Sequence, residues 1–80
     1  MAFEDINFPV YRKYMNGKSY FKIISRNEFE EIQIIGSKKT KHTVNATQLP
    51  EMNQIYDLVY NKELAIEISR EEYDILKKTN

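Results

Sequence analysis

His42 is the only histidine in the chain, and there is no cysteine. It is therefore the one side chain whose ordinary titration lies near neutral pH. Acid–base chemistry there would need a carboxylate to orient the imidazole, and Glu30 or Glu31 on the preceding extended segment could supply it. The simpler reading, preferred here, is a histidine at a sheet rim filling space beside Val44. The other paired acids have structural explanations. Neighbours in a strand such as Glu30-Glu31 point to opposite faces, and Glu71-Glu72 suits the first turn of a helix. Two glycines, Gly17 and Gly36, cannot build a phosphate-cradling loop, and no serine sits in a Gly-x-Ser-x-Gly setting. The histidine and cysteine counts remove thiolate zinc, iron–sulfur and most imidazole metal sites, and no loop has the ligand spacing of a calcium hand. The chain is thus expected to have no catalytic residue, no cofactor and no metal, and not to be an enzyme.

The remaining chemistry is binding. Arg12, Lys13, Lys18 and Lys22 lie in a stretch without an acid, interleaved with Tyr11 and Tyr20. Lysines and aromatic rings on one strand face can neutralise phosphates and stack single-stranded bases. The same residues on an outer sheet face can instead pair across strands. With Met15 and Ile24 they make an apolar and aromatic patch of the kind protein interfaces prefer. The expected interaction surface is therefore Tyr11, Lys13, Met15, Tyr20, Lys22 and Ile24. The leading expectation is association with another protein or with a second copy of the chain, as a homodimer. Single-stranded nucleic-acid binding through the Tyr/Lys face is the alternative.

These residues must be positioned by a hairpin. Asn16-Gly17 tolerates positive φ at both centres of a type I′ turn, and strand-like runs flank it at 10–15 and 18–25. That turn places Val10, Arg12, Tyr14, Phe21 and Ile23 on a core face. Tyr11, Lys13, Met15, Lys18, Tyr20, Lys22 and Ile24 fall on the other. Residues 28–35, with three isoleucines in four positions, read as a third strand. Gly36-Ser37 turns the chain into a fourth strand at about 39–46, with Thr40, His42, Val44 and Ala46 sharing a face. Pro50 opens a helix whose buried stripe is expected to be Met52, Ile55, Tyr56 and Val59, with Asn61 as a left-handed stop. Residues 64–68 form a short strand or linker. Ser69-Arg70-Glu71-Glu72 is a capping box, with Ile68 and Tyr73 as its staple, and starts a helix over 70–78. Strands first and helices last predict an α+β fold. Its expected form is one domain over 1–80, a four- or five-stranded antiparallel sheet from two hairpins, with both helices packed on one face.

The run Pro9-Val10-Tyr11-Arg12-Lys13-Tyr14, then Ser19-Tyr20-Phe21-Lys22-Ile23, Phe29-Glu30-Glu31-Ile32, Gly36 and Pro50-Glu51 resembles short bacterial proteins of about this length with no assigned function. The resemblance implies an intracellular bacterial protein and carries over no functional residue.

Size and charge bound the rest. A chain of 80 residues buries roughly 60% of its unfolded surface and is stabilised by only about 4–12 kcal/mol. Residues 1–9 are acidic with no apolar core of a signal peptide, and no stretch nears the roughly 18 apolar residues of a membrane span. A cytoplasmic location without membrane contact is expected. Twelve basic and twelve acidic residues cancel overall, which argues against a globally basic nucleic-acid binder. The zero nonetheless conceals blocks: +3 over 1–26, −3 over 27–36, +3 over 37–48 and −3 over 49–80.

Overall fold

The computed structural model describes residues 3–78. Five strands and two helices follow in the order β1 (Val10–Tyr14), β2 (Ser19–Ser25), β3 (Glu28–Ile35), β4 (Lys38–Asn45), α1 (Leu49–Tyr60), β5 (Ala65–Glu67) and α2 (Arg70–Lys78). All pairings are antiparallel and the sheet order is β4-β3-β2-β1-β5. The α+β class and antiparallel sheet agree with the sequence pattern. Residues 28–35 are a strand, and the short extended piece joins the sheet as its fifth strand, against β1.

The first hairpin has the expected register, with Val10 opposite Ile23 and Arg12 opposite Phe21. Its turn differs from the expected type I′ pair. The Gly17 N–H donates to the Tyr14 carbonyl at 2.9 Å, so the tight turn is centred on Met15-Asn16. Only Gly17 takes positive φ (+72°), and the Asn16 carboxamide oxygen accepts the Lys18 N–H at 2.8 Å. Asn16 spends its side chain on the turn rather than its backbone on a left-handed conformation. Both turns pair the same residues, which is why the register was legible when the turn type was not. At the β3–β4 turn, Gly36 has φ of +62° and Ile35 pairs with Lys38, as a two-residue loop with glycine first requires.

The helices do not share a face, contrary to expectation. α1 buries Ile55, Leu58 and Val59 against Phe21, Ile23, Phe29, Ala46 and Ala65. α2 buries Tyr73 on the opposite side of the sheet, with Ile32 and Ile68, against Tyr11 and Tyr20. The reason is the alternation itself. β1, β2 and β3 carry large apolar side chains on both faces, so one layer of helix leaves half of them wet. β5, hydrogen-bonded along the outer side of β1, carries the chain from the α1 layer to the α2 layer.

Two details of α1 also differ. Met52 and Tyr56, expected in the core, are 42% and 47% exposed, and Leu58 is buried instead. The Tyr56 ring rests on Phe3, with centroids 6.0 Å apart, in the 3–9 segment that wraps the helix. Asn61 is extended (φ −91°), not left-handed. It closes the helix through its N–H to the Asp57 carbonyl, while its side-chain oxygen accepts the Glu63 N–H.

Candidate functional site

The Tyr/Lys surface nominated by the sequence is assembled as a face and then covered. Tyr11 packs on Tyr73 with ring centroids 5.4 Å apart. Lys13 reaches the Glu72 carboxylate at 3.3 Å and lies 5.7 Å from the Tyr20 ring centroid. Lys22 stands between Tyr11 and Glu30 in the strand ladder. Ile24 is half-buried beside the irregularity that ends β2, and Met15 sits in the turn, 61% exposed. The structure thus brings Tyr11, Lys13 and Tyr20 together under α2 and leaves Met15 outside the group. The expectation of an open patch overlooked the chain's own last helix as its cover.

α2 is held there mostly by polar contacts. The Ser69 hydroxyl accepts the Glu72 N–H at 3.0 Å, the backbone half of the capping box. The buried Tyr73 hydroxyl donates to a Glu30 oxygen at 2.8 Å, and Lys77 meets the same oxygen at 3.2 Å. Lys39 donates to the Leu76 carbonyl at 3.1 Å, near the helix end. Burial pushes the Glu30 carboxyl up. The Tyr73 hydroxyl, the Lys77 ammonium and the more distant Lys41 outweigh it and hold the group below its ordinary value. Burial, then the facing Glu30 carboxylate, pushes the Tyr73 phenol far above its ordinary value. Each of these groups is used in fastening the helix.

His42 has a different setting. Glu31 is opposite it in the ladder, as one of the two expected pairings requires. The Glu31 carboxylate, however, accepts from the Ser19 hydroxyl at 3.0 Å, and the His42 ring meets Thr40 Oγ1 at 3.3 Å. His42 is exposed on the sheet's outer strand. A cavity of about 250 Å³, lined by Arg12, Val59, Lys62, Ala65, Ile66 and Glu67, opens at the β5 side, the opposite edge of the sheet. Among the described residues no three His, Cys, Asp or Glu side chains gather as a metal site, and no helix is long and apolar enough to cross a membrane.

β4 is the least covered element. Of its eight residues only Lys39 and Val44 are half-buried, and the other six are exposed. It ends the sheet, so one side of its backbone faces away from β3. Which side follows from two bonds. The Ile34 N–H points to β2, bonding the Lys18 carbonyl at 2.8 Å, and Ala46 bonds the Asn27 carbonyl at 2.7 Å. Amides alternate along a strand, so Lys38, Thr40, His42 and Val44 face β3. Lys39, Lys41, Thr43 and Asn45 then turn their N–H and C=O groups outward. The acid-free run Lys38-Lys39-Thr40-Lys41 was visible in the sequence; its place on an open edge was not, because that depends on which strand ends the sheet.

Comparison of the chain with family models, with curated proteins and with solved structures finds no match in any of the three.

Proposed function

We propose that this protein works by binding another polypeptide, without catalysis, and that β4 is its binding edge. The observation carrying this reading is the eight-residue, exposed β4 edge, whose outward amides and carbonyls at Lys39, Lys41, Thr43 and Asn45 are a ready template for a further strand. An extended segment adding there becomes a sixth strand. Main-chain bonds supply affinity, and alternate side chains supply selectivity.

Hydrogen exchange read by NMR tests this. The probes are seven-residue peptides in which valine alternates with glutamate, threonine or lysine. At least one probe is expected to slow exchange at Lys39, Lys41, Thr43 and Asn45, while the inward amides, already bonded, change little. If none of the three protects those amides, the reading is wrong. Light scattering addresses the homodimer form, which requires a mass that rises above the 9.6 kDa of one chain at high micromolar concentration.

A further inference from the structure

We infer that the occupant of the β4 edge is an acidic extended segment of a different protein, with an acid meeting Lys41 on the α2 side of the sheet, an acid meeting Lys38 at the turn end of the α1 side, and β-branched or small apolar residues along the rest of the α1 side. This rests on the binding-edge reading above and specifies its partner.

The argument is charge complementarity along a defined register. Residues 37–50 contain Lys38, Lys39 and Lys41 and no acid. Of the three acids on β3, Glu28 stands opposite Asn45 at the far end of the ladder from Lys38, and the other two are already engaged, Glu30 by Tyr73 and Lys77 and Glu31 by Ser19. Lys38 and Lys41 are exposed, and neither has an ion-pair partner among the described residues. Cross-strand register puts Lys39, Lys41, Thr43 and Asn45 with Ile32 and Ile34 on the α2 side of the sheet. Lys38, Thr40, His42 and Val44 lie on the α1 side, with Val44 against the main core. An incoming strand therefore meets the Lys41 ammonium on the α2 side, where Lys39 is engaged by the Leu76 carbonyl, and the Lys38 ammonium on the α1 side, followed there by a threonine, an imidazole and a valine. Opposite charges on neighbouring strands stabilise a pairing and like charges weaken it.

The same charges discriminate against copies of this chain. Two β4 strands pairing with each other would place both sets of three lysines on one ribbon without an intervening acid. β5, the sheet's other edge, ends in Glu67, follows Glu63 and has suitable charge. At three residues it is too short to satisfy an eight-residue edge. Lysines that protect an edge from indiscriminate pairing serve here as the selector.

The test uses the full chain and the glutamate–valine and lysine–valine probes, with exchange and chemical shifts read at two salt concentrations. The acidic probe should bind on the order of tenfold tighter at low salt, with the gap narrowing as salt screens it. Lys38→Glu/Lys41→Glu should reverse the order of the probes. Because Lys41 lies near Glu30, Lys38→Glu alone is the second variant; it reverses the charge at the turn end of the α1 side and should reduce the preference for the acidic probe. Thr43→Pro removes an outward N–H without breaking a bond to β3 and should abolish protection by both probes. Equal binding of the acidic and basic probes would overturn the acidic-partner inference while leaving the edge reading intact. Failure of all probes would overturn both. A single-stranded oligothymidylate that displaces the acidic probe at equal concentration, without protecting the four amides, would reassign the lysines to phosphate binding and overturn the inference. A concentration-dependent mass, with the same four amides protected by the protein itself, would assign the edge to a second copy.

Discussion

The two faces of one sheet are closed in different ways. On the α1 face, eight buried residues form a continuous apolar cluster from three helical positions, four strand positions and Ala46, which follows β4. On the α2 face the buried cluster is only Ile32, Ile68 and Tyr73. There the helix is fastened by one phenol–carboxylate hydrogen bond, two lysine ion pairs and a cap. Burial of apolar area does not titrate and is not screened by salt, whereas charged fastenings respond to both pH and ionic strength. The α1 layer is therefore the stability of the molecule, and the α2 layer is its adjustable part.

Four measurements separate the layers, beginning with the largest effect. Phe21→Ala empties a fully buried site between β2 and α1. It is expected to cost about 3–5 kcal/mol, enough to unfold much of a chain this size, as denaturant melts would show. An effect under about 1 kcal/mol would deny the α1 layer its dominant role. Tyr73→Phe keeps the ring and deletes the donor to Glu30. About 1–2 kcal/mol is expected, with faster amide exchange in α2 and little change in β2 and β3; uniform acceleration would mean that the layers unfold as one.

The third measurement is acid titration. The folded Glu30 carboxyl lies below its ordinary value of 4.5. Its contribution is therefore fully present above 4.5 and is lost as pH falls through the lowered folded value. α2 signals should broaden or shift in that window before the sheet melts, and Glu30→Gln should remove the early step. An α2 transition that survives Glu30→Gln would locate the sensitivity elsewhere. The smallest effect belongs to Lys13→Ala. Its pair with Glu72 is partly exposed, and at most about 1 kcal/mol is expected, falling further at high salt. A larger loss would show Lys13 acting through its packing on Tyr20.

The same contrast explains what could be read from the sequence. The α1 face was legible in the first hairpin because Val10, Tyr14, Phe21 and Ile23 fall on one side of the two-residue strand period and Asn16-Gly17 fixes their register. Tyr11, Tyr20 and Ile32 were legible as a second half-apolar face, but not its occupant. Strand alternation shows that a face needs cover without saying which helix supplies it. The Ile68–Tyr73 staple marked where α2 begins, and the side it takes depends on β5 pairing with β1, a tertiary event. The binding edge was legible only as charge. Lys38, Lys39 and Lys41 could have crossed a central strand equally well, and only the complete strand order makes theirs the outermost.

The position of α2 after β5 has a consequence for how the molecule opens. No buried member of the α1 cluster lies beyond Ala65, whereas Tyr73 follows it in the chain. Opening of α2 alone would therefore uncover Tyr11, Tyr20 and Ile32 while every strand of the sheet and every buried residue of the α1 cluster stays in place. The aromatic and basic face is one hinge away from solvent, at the Ile68-Ser69 junction between β5 and α2.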